Sequence, residues 1–187
     1  MALRGRFRGF ERKQFMDDQS HALATRTGFQ FHVRPVRPAD EDIIAEFFTH
    51  VTRDDLRFRY LTGLNEIGHA RVAALANVDH KADENFLAFA DDGGTMVATA
   101  MLACEPDLDK AEVAIVVHKD FKEKGIGWEL LAYVARFAEA KGVKTLQSIE
   151  SRSNHAAIEL ERDMGFTASA YPGDPSLVLV TREINAR

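Results

Sequence analysis

A regular alternation of apolar and polar positions first appears in "FQFHVRPV". There Phe29, Phe31, Val33 and Pro35 face one way, as in a half-buried strand. The period then lengthens. In "RPADEDIIAEFFTHV" acids fill the first turn, and Ile43, Ile44, Phe47, Phe48 and Val51 recur at helical spacing. "TRDDLRFRYL" opens with Thr52 and Asp55 in capping-box spacing, which predicts a second short helix. A third is predicted around Ala70 to Leu75. The period returns to strand in "ENFLAFAD" and "TMVATAMLACE", with "DDGG" (Asp91 to Gly94) as hairpin chemistry between them.

"KAEVAIVVH" predicts a strand over Ala111 to His118. "GWELLAYVARFAEAKG" predicts an amphipathic helix whose apolar face carries Leu130, Leu131, Val134, Ala135, Phe137 and Ala138, with Gly142 as its C-terminal stop. "KTLQSIE" reads as a strand and "NHAAIELERDMG" as a helix closed by Gly165. "FTASA" and "SLVLVT" read as final strands joined by a Pro-Gly-Asp-Pro turn. Met1 to about Gly28 shows no sustained period and reads as a tail or arm, its basic residues Arg4, Arg6, Arg8 and Arg12 solvated or touching a partner. The strand-helix-strand unit implies one parallel pair with a crossover, and the hairpins imply antiparallel neighbours. The expected fold class is α/β (α+β): a mixed, mostly antiparallel central sheet of six to seven strands with helices on both faces, forming one domain over residues 29–187.

Composition narrows the function classes. The net charge of -5 gives no pull toward nucleic acid or anionic membrane, so neither partner is expected. No apolar run approaches the roughly 20 residues needed to span a bilayer, and a soluble, cytoplasmic protein, monomer or homodimer, is the expectation. The single cysteine, Cys104, excludes an intrachain disulfide and reads as a small hydrophobe at a strand end. His69, His80 and Glu84 have no spacing that dictates a metal site, and no metal is expected.

The segment "VVHKDFKEKGIG" is richer. It ends where the long helix starts, so unpaired N–H groups and a partial positive charge lie there. Gly125 and Gly127 leave room for a ligand to reach those donors, and Lys122 and Lys124 add charge suited to phosphate or pyrophosphate. A surface turn in which glycine only relieves strain satisfies the same letters. A Walker A loop is excluded, because Trp128 stands where its lysine would be, and so is a dinucleotide fingerprint, whose third glycine is replaced by Leu130.

"VHKDFKEKGIGWELL" resembles the acyl-CoA-binding motif of the GNAT N-acetyltransferase superfamily, Arg/Gln-x-x-Gly-x-Gly/Ala, with Lys122 in the first place and Gly125 and Gly127 as the glycines. Glu123 stands where a further glycine is common. "NHAAIELERDMGF" resembles a later motif through Asn154, Gly165 and Phe166. "DLRFRYLTG", "ALANVDHKADENFLAFAD" and "AEVAIVV" are similar to the acetyltransferase domain of bacterial protein lysine acetyltransferases. The resemblance covers Phe29 to Thr181.

That resemblance implies an acetyl-CoA-dependent N-acetyltransferase that transfers directly to a primary amine. A protein lysine is the leading acceptor; a small amine or amino acid, or a non-catalytic acyl-CoA sensor, is the alternative. It implies CoA binding along Lys122, Glu123, Lys124, Gly125, Ile126, Gly127 and Trp128, with Asn154 beyond. Ile115 and Val117 would offer backbone bonds to the pantetheine arm, and an oxyanion donor is implied near Val116, where the strand Ala111 to His118 parts from Lys144 to Glu150. A lysine acceptor must lose a proton before it can attack a thioester. Glu112 lies among apolar neighbours that would raise its pKa, and the resemblance implies it as general base; a surface ion pair is the plainer role for such a glutamate. His118 is a second candidate base, placed by the motif at the loop mouth, facing solvent or phosphate. Many superfamily members protonate the leaving thiolate with a tyrosine, and that position here is Glu161. Tyr133 falls on the packing face of its helix. Asp54, Asp55, Asp79 and Glu84 are candidates for a cationic-amine pocket, or simply solvated acids.

Overall fold

The computed structural model describes residues 20–63, 65–90 and 93–185. They form five α-helices and one eight-stranded sheet, ordered β1-β2-β3-β4-β5-β6-β8-β7. The strands are β1 (His21–Ala24), β2 (Gln30–Pro35), β3 (Asp83–Ala90), β4 (Met96–Cys104), β5 (Lys110–Val117), β6 (Thr145–Ser151), β7 (Thr167–Ala170) and β8 (Leu177–Glu183). The helices are α1 (Glu41–Thr49), α2 (Arg53–Tyr60), α3 (His69–Ala76), α4 (Ile126–Lys141) and α5 (His155–Asp163). Every neighbouring pair is antiparallel except β5 with β6, the pair joined through α4.

The central strands are buried on both faces. Phe86 and Ala88 of β3 enter a core with Leu130, Val134 and Phe137 of α4, whereas the alternate residues Leu87 and Phe89 enter a second core with Ile44, Phe47, Leu56 and Val72 of α1–α3. One strand thus serves two hydrophobic layers, and its sequence "ENFLAFAD" reads as a nearly continuous apolar run. Helix α4 turns its apolar face inward as its spacing predicts. It stops at Gly142, whose φ of 102° places it in the left-handed region while its N–H donates to Ala138 O and Glu139 O. Thr52 caps α2 as expected, its Oγ1 accepting from Asp55 N at 3.2 Å.

Three features differ from expectation. The sheet has eight strands rather than six or seven. The added strand is β1, which lies within the stretch read as a tail and pairs with β2 from His21–Val33 to Ala24–Gln30. "HALA" has too little apolar contrast to signal a strand, and it is ordered by pairing with the edge of a sheet that already exists. The turn at residues 25–28 closes this hairpin with Gly28 at φ 85°. The rest of the expected tail, residues 1–19, and Asp91 and Asp92 of the hairpin lie outside the described residues. Helix α4 also begins at Ile126, one residue before the segment whose pattern predicts it. No helix among the described residues is long and apolar enough to cross a membrane.

Leu130 is completely buried at the contact of α4 with the sheet. Its replacement by alanine should cost about 2–5 kcal/mol, read as a lowered urea midpoint with an unchanged slope.

Candidate active site

The sheet opens at its parallel pair. β5 and β6 pair only at Lys110–Thr145, Ala111–Leu146 and Glu112–Gln147, and beyond Glu112 they diverge. A cavity of about 780 Å³ fills the resulting fork, within the range typical of small-molecule sites. Both β5 and β6 line it, with Glu112 and Ile115–Val117 on one strand and Ile149 and Glu150 on the other.

Strand alternation decides which β5 groups face the gap. His118 N donates to Val97 O of the neighbouring chain segment, and Val116 stands opposite Thr99 in the same register. Hydrogen-bonded pairs recur every second residue, so β4 takes the backbone of Val116 and the N–H and C=O of Ile115 and Val117 face the fork. The N–H of Val116, near which an oxyanion donor was expected, thus turns toward β4, while the residue itself lines the cavity.

The loop after β5 forms the cavity's next wall. Lys122, Glu123, Gly125, Ile126, Gly127 and Trp128 all line it. Lys124 does not. Its ammonium lies 5.7 Å from the Phe29 ring centroid and 5.9 Å from that of Phe121, while its carbonyl accepts from Thr27 Oγ1 at 3.0 Å. Glu123, in the place where relatives commonly have glycine, has φ 62°, and Gly125 has φ 85°. Left-handed residues in a turn are a means of gathering backbone N–H groups on one side. Helix α4 makes its first internal bond from Glu129 N to Gly125 O, so the N–H groups of Ile126, Gly127 and Trp128 have no helical acceptor. A Cβ on Gly127 would stand 3.6 Å from Leu160 of α5, narrowing the space between the two helices. The loop thus fits a pyrophosphate group: unpaired donors, a helix N-terminus and no side chain in the way.

Two walls were not legible as such. The β1–β2 turn brings Arg26 and Thr27 to the cavity, with the Arg26 guanidinium 4.6 Å above the Trp128 ring. Helix α2 closes the other side with Phe58, Arg59 and Leu61, the last an exposed large hydrophobe just past the helix end. Asp55 of α2 reaches the loop and pairs with Lys122 at 2.5 Å, so the basic residue of the motif is neutralised across the cleft.

The cavity holds unusual carboxyls. Glu150 has its pKa raised to about 8, first by burial and then by the nearby Glu161; Asn154 Nδ2, which donates to Glu150 Oε2 at 2.8 Å, opposes the rise. Asn154 is thereby engaged with a carboxyl rather than capping α5. Burial raises Glu161 to about 7, opposed by a hydrogen bond from Ser148 Oγ at 2.5 Å. Glu150 was missed in the sequence because "KTLQSIE" only announces a strand. Its significance comes from the two carboxylates that α5 and β5 bring near it.

Other candidates lie elsewhere. His118 is buried rather than at a solvent-facing loop mouth: it stacks on His50 at 4.6 Å, and its Nδ1 accepts from Asp120 N. Burial and His50 hold its pKa below the usual imidazole value. Of the four acids considered for an amine pocket, only Asp55 lines the cavity. Asp54 pairs with Arg57, Asp79 accepts three backbone N–H groups and Glu84 bonds His80. Tyr133 packs in the core with its hydroxyl raised to about 12 by burial, and Cys104 is a half-buried thiol kept protonated by burial.

Residues 45–166 match the model of the acetyltransferase (GNAT) family. The chain belongs to this family. It is similar in fold to the GNAT domain of S. lividans PAT, with a TM-score of 0.81 at 20% identity over 88% of this chain and 96% of that one. The putative acetyltransferase yncA from Salmonella typhimurium, whose structure contains its cofactor acetyl-CoA, matches with a TM-score of 0.65 at 18% identity over 84% and 95% of the two chains. A cAMP-binding acyltransferase from Mycobacterium smegmatis matches with a TM-score of 0.61 at 22% identity, over 89% of this chain but 48% of its own length. The enzyme is thus an acetyl-CoA-dependent N-acetyltransferase acting on an amine.

In this acetyltransferase Gly125 is the tightest point of the loop, because a Cβ there would approach Thr25 Cβ to 3.2 Å at a left-handed φ. Gly125→Ala should lose about 1–2 kcal/mol of stability and weaken CoA binding, measured by thermal unfolding and calorimetry. Glu150 supplies a second prediction. Its folded pKa of about 8 exceeds the ordinary 4.5, so the native state holds a proton that the unfolded chain releases. Stability from this group is complete below the ordinary value and is lost as pH rises through the folded one. Glu150→Gln should therefore melt above the wild type near pH 9 and lose that advantage near pH 5.

Proposed function

We propose that the enzyme acetylates lysine side chains of proteins, with Glu112 as general base. The observation carrying this reading is the position of Glu112 at the last paired residue of the fork, on the strand face that turns toward α1–α3. Ala111 and Val113 enter the α4-side core, so Glu112 between them projects to the opposite side. An acceptor entering there meets Asp55 and Glu112 together with the apolar Phe58 and Leu61. Carboxylates attract an ammonium, and apolar neighbours suit the methylene stem of a long side chain. The fold shared with S. lividans PAT, a protein acetyltransferase, supports the same reading.

In this scheme acetyl-CoA lies along the loop, with its pyrophosphate on the N–H groups of residues 125–128 and near Lys122, and its pantetheine arm pairs with the backbone of Ile115 and Val117. Glu112 takes the ammonium proton, directly or through water, and the free amine attacks the thioester carbon. An N–H facing the fork at Ile115 or Val117 receives the negative charge that develops on the carbonyl oxygen; as that charge returns, the C–S bond breaks with its electron pair on the CoA sulfur, and the second proton of the nitrogen passes to solvent or to that thiolate. Asn154 holds Glu150 at the edge of the same space.

The test is release of free thiol from acetyl-CoA against lysine peptides, polyamines and amino acids. Lysine peptides should give the highest kcat/KM, and Glu112→Gln should lower kcat by about 10²-fold or more. A small amine as the best acceptor would overturn the lysine assignment. Unchanged kcat in Glu112→Gln from about pH 6 to about pH 9 would overturn the base.

A further inference from the structure

We infer that Arg26 is a specificity residue for the cofactor and takes the 3′-phosphate that distinguishes CoA from dephospho-CoA. The inference rests on the reading that CoA lies along the loop before α4. Arg26 is exposed, lines the cavity and carries its guanidinium 4.6 Å above the Trp128 ring. Trp128 belongs to the first turn of α4, whose N–H groups have no helical acceptor, so the cation stands beside the pyrophosphate cradle. Stacking occupies one face of the guanidinium. Its in-plane N–H groups stay directed past the ring, where they can donate to phosphate oxygens.

The turn that presents Arg26 is fixed against the loop. Thr25 is buried, and its Oγ1 accepts from Phe29 N at 3.1 Å. Thr25 N donates to Phe29 O and Gly28 N to Thr25 O, both at 2.9 Å. Thr27 Oγ1 donates to Lys124 O at 3.0 Å, which ties the turn to the loop itself. On the other side of Arg26, Thr25 packs so closely on Gly125 that a Cβ there would stand 3.2 Å from its own. Arg26 thus lies between two threonines that both touch the loop, and its side chain is stacked. Little ordering remains to be lost when an anion binds.

Charge decides what this guanidinium takes. Among the described residues it has no carboxylate partner, whereas Lys122 pairs with Asp55. The cavity's further cation, Arg59, lies on α2, directed to Met101 Sδ at 3.4 Å and set over the Tyr60 ring. The loop, α4 and α5 add only acids to the wall besides Lys122: Glu123, Glu129, Glu159 and Asp163 among them. In CoA the pyrophosphate joins the pantetheine arm, which enters the fork, to the adenosine, which stays outside it. The 3′-phosphate sits on that outer side, one sugar from the pyrophosphate, and carries nearly two negative charges at neutral pH. The acids of α5 repel such a group, and Arg26 on the β1–β2 turn offers it an unpaired cation whose fork can hold two oxygens at once.

Titration calorimetry with CoA and with dephospho-CoA tests the assignment without any acceptor amine. The wild type should bind CoA about tenfold more tightly than dephospho-CoA. Arg26→Met, which keeps an apolar stem over Trp128, should weaken CoA by about that factor, leave dephospho-CoA unchanged and leave the melting temperature of the free enzyme unchanged. Arg26→Lys, a point charge without the planar fork, should keep part of the preference. Equal losses for both ligands in Arg26→Met would put Arg26 on the pyrophosphate and overturn the assignment. So would a preference that survives in Arg26→Met or is missing from the wild type. Gly125→Ala tests the loop reading separately, and there both ligands should weaken alike. Wild-type binding of both ligands by Gly125→Ala would overturn the loop reading and this assignment with it. Weakened binding in Gly125→Ala beside an unaltered Arg26→Met would overturn Arg26 alone.

Discussion

Three parallel pairs join β5 to β6, ending at Glu112 and Gln147, and beyond them Ile115 and Val117 present backbone N–H and C=O groups that no strand satisfies. Backbone polar groups facing a cleft must bond to water or to a ligand. The pantetheine arm of CoA carries amides of the same kind and can take the place of the missing strand. The cavity and the opening between the two faces of the sheet both follow from that early parting of the ladder. Had β6 continued beside β5, the loop and helix would remain, but nothing could pass between the two faces of the sheet.

The electrostatic design works in two halves. At the loop, a helix N-terminus and unpaired N–H groups favour an anion without committing a free lysine, because Lys122 is held by Asp55. That ion pair ties α2 to the loop that precedes α4, so two walls of the cavity are joined directly. At the fork Glu150 and Glu161 are buried near one another, and burial raises both above the usual carboxyl range. The result is one environment holding carboxyls that differ in solvent exposure and hydrogen bonding. Burial favours the protonated form of Glu161, and the hydrogen bond from Ser148 limits how far that preference goes.

Much of this was legible along the chain. The change from period two to period 3.6 marked the helices and the main strands, because burial on one face leaves a repeating signature. "KGIG" at the start of a long amphipathic helix marked a candidate anion loop, because the constraint there is local: glycine conformations and a helix end. Lys124 shows the limit of that reasoning. Its charge suits phosphate, but Phe29 and Phe121 draw its side chain over their rings, away from the cavity. His118 was misplaced for a similar reason, since only the packing of α1 against β5 reveals that His50 and Phe47 cover it.

Local chemistry in the sequence by itself determined the mixed sheet, the helix that follows the glycine loop and the capping of α2, since each depends on residues close in the chain or on a periodic face, whereas Glu112 became a candidate through the family resemblance. The tertiary structure alone decided that "HALA" is an edge strand, that Arg26 stacks on Trp128, and that Val116 turns its backbone away from the fork. It alone brought Glu150 and Glu161 together around Ser148 and Asn154. The physical reason is that a carboxyl's proton affinity and a backbone donor's direction depend on neighbours supplied by other strands and helices, and those neighbours exist only once the chain has folded.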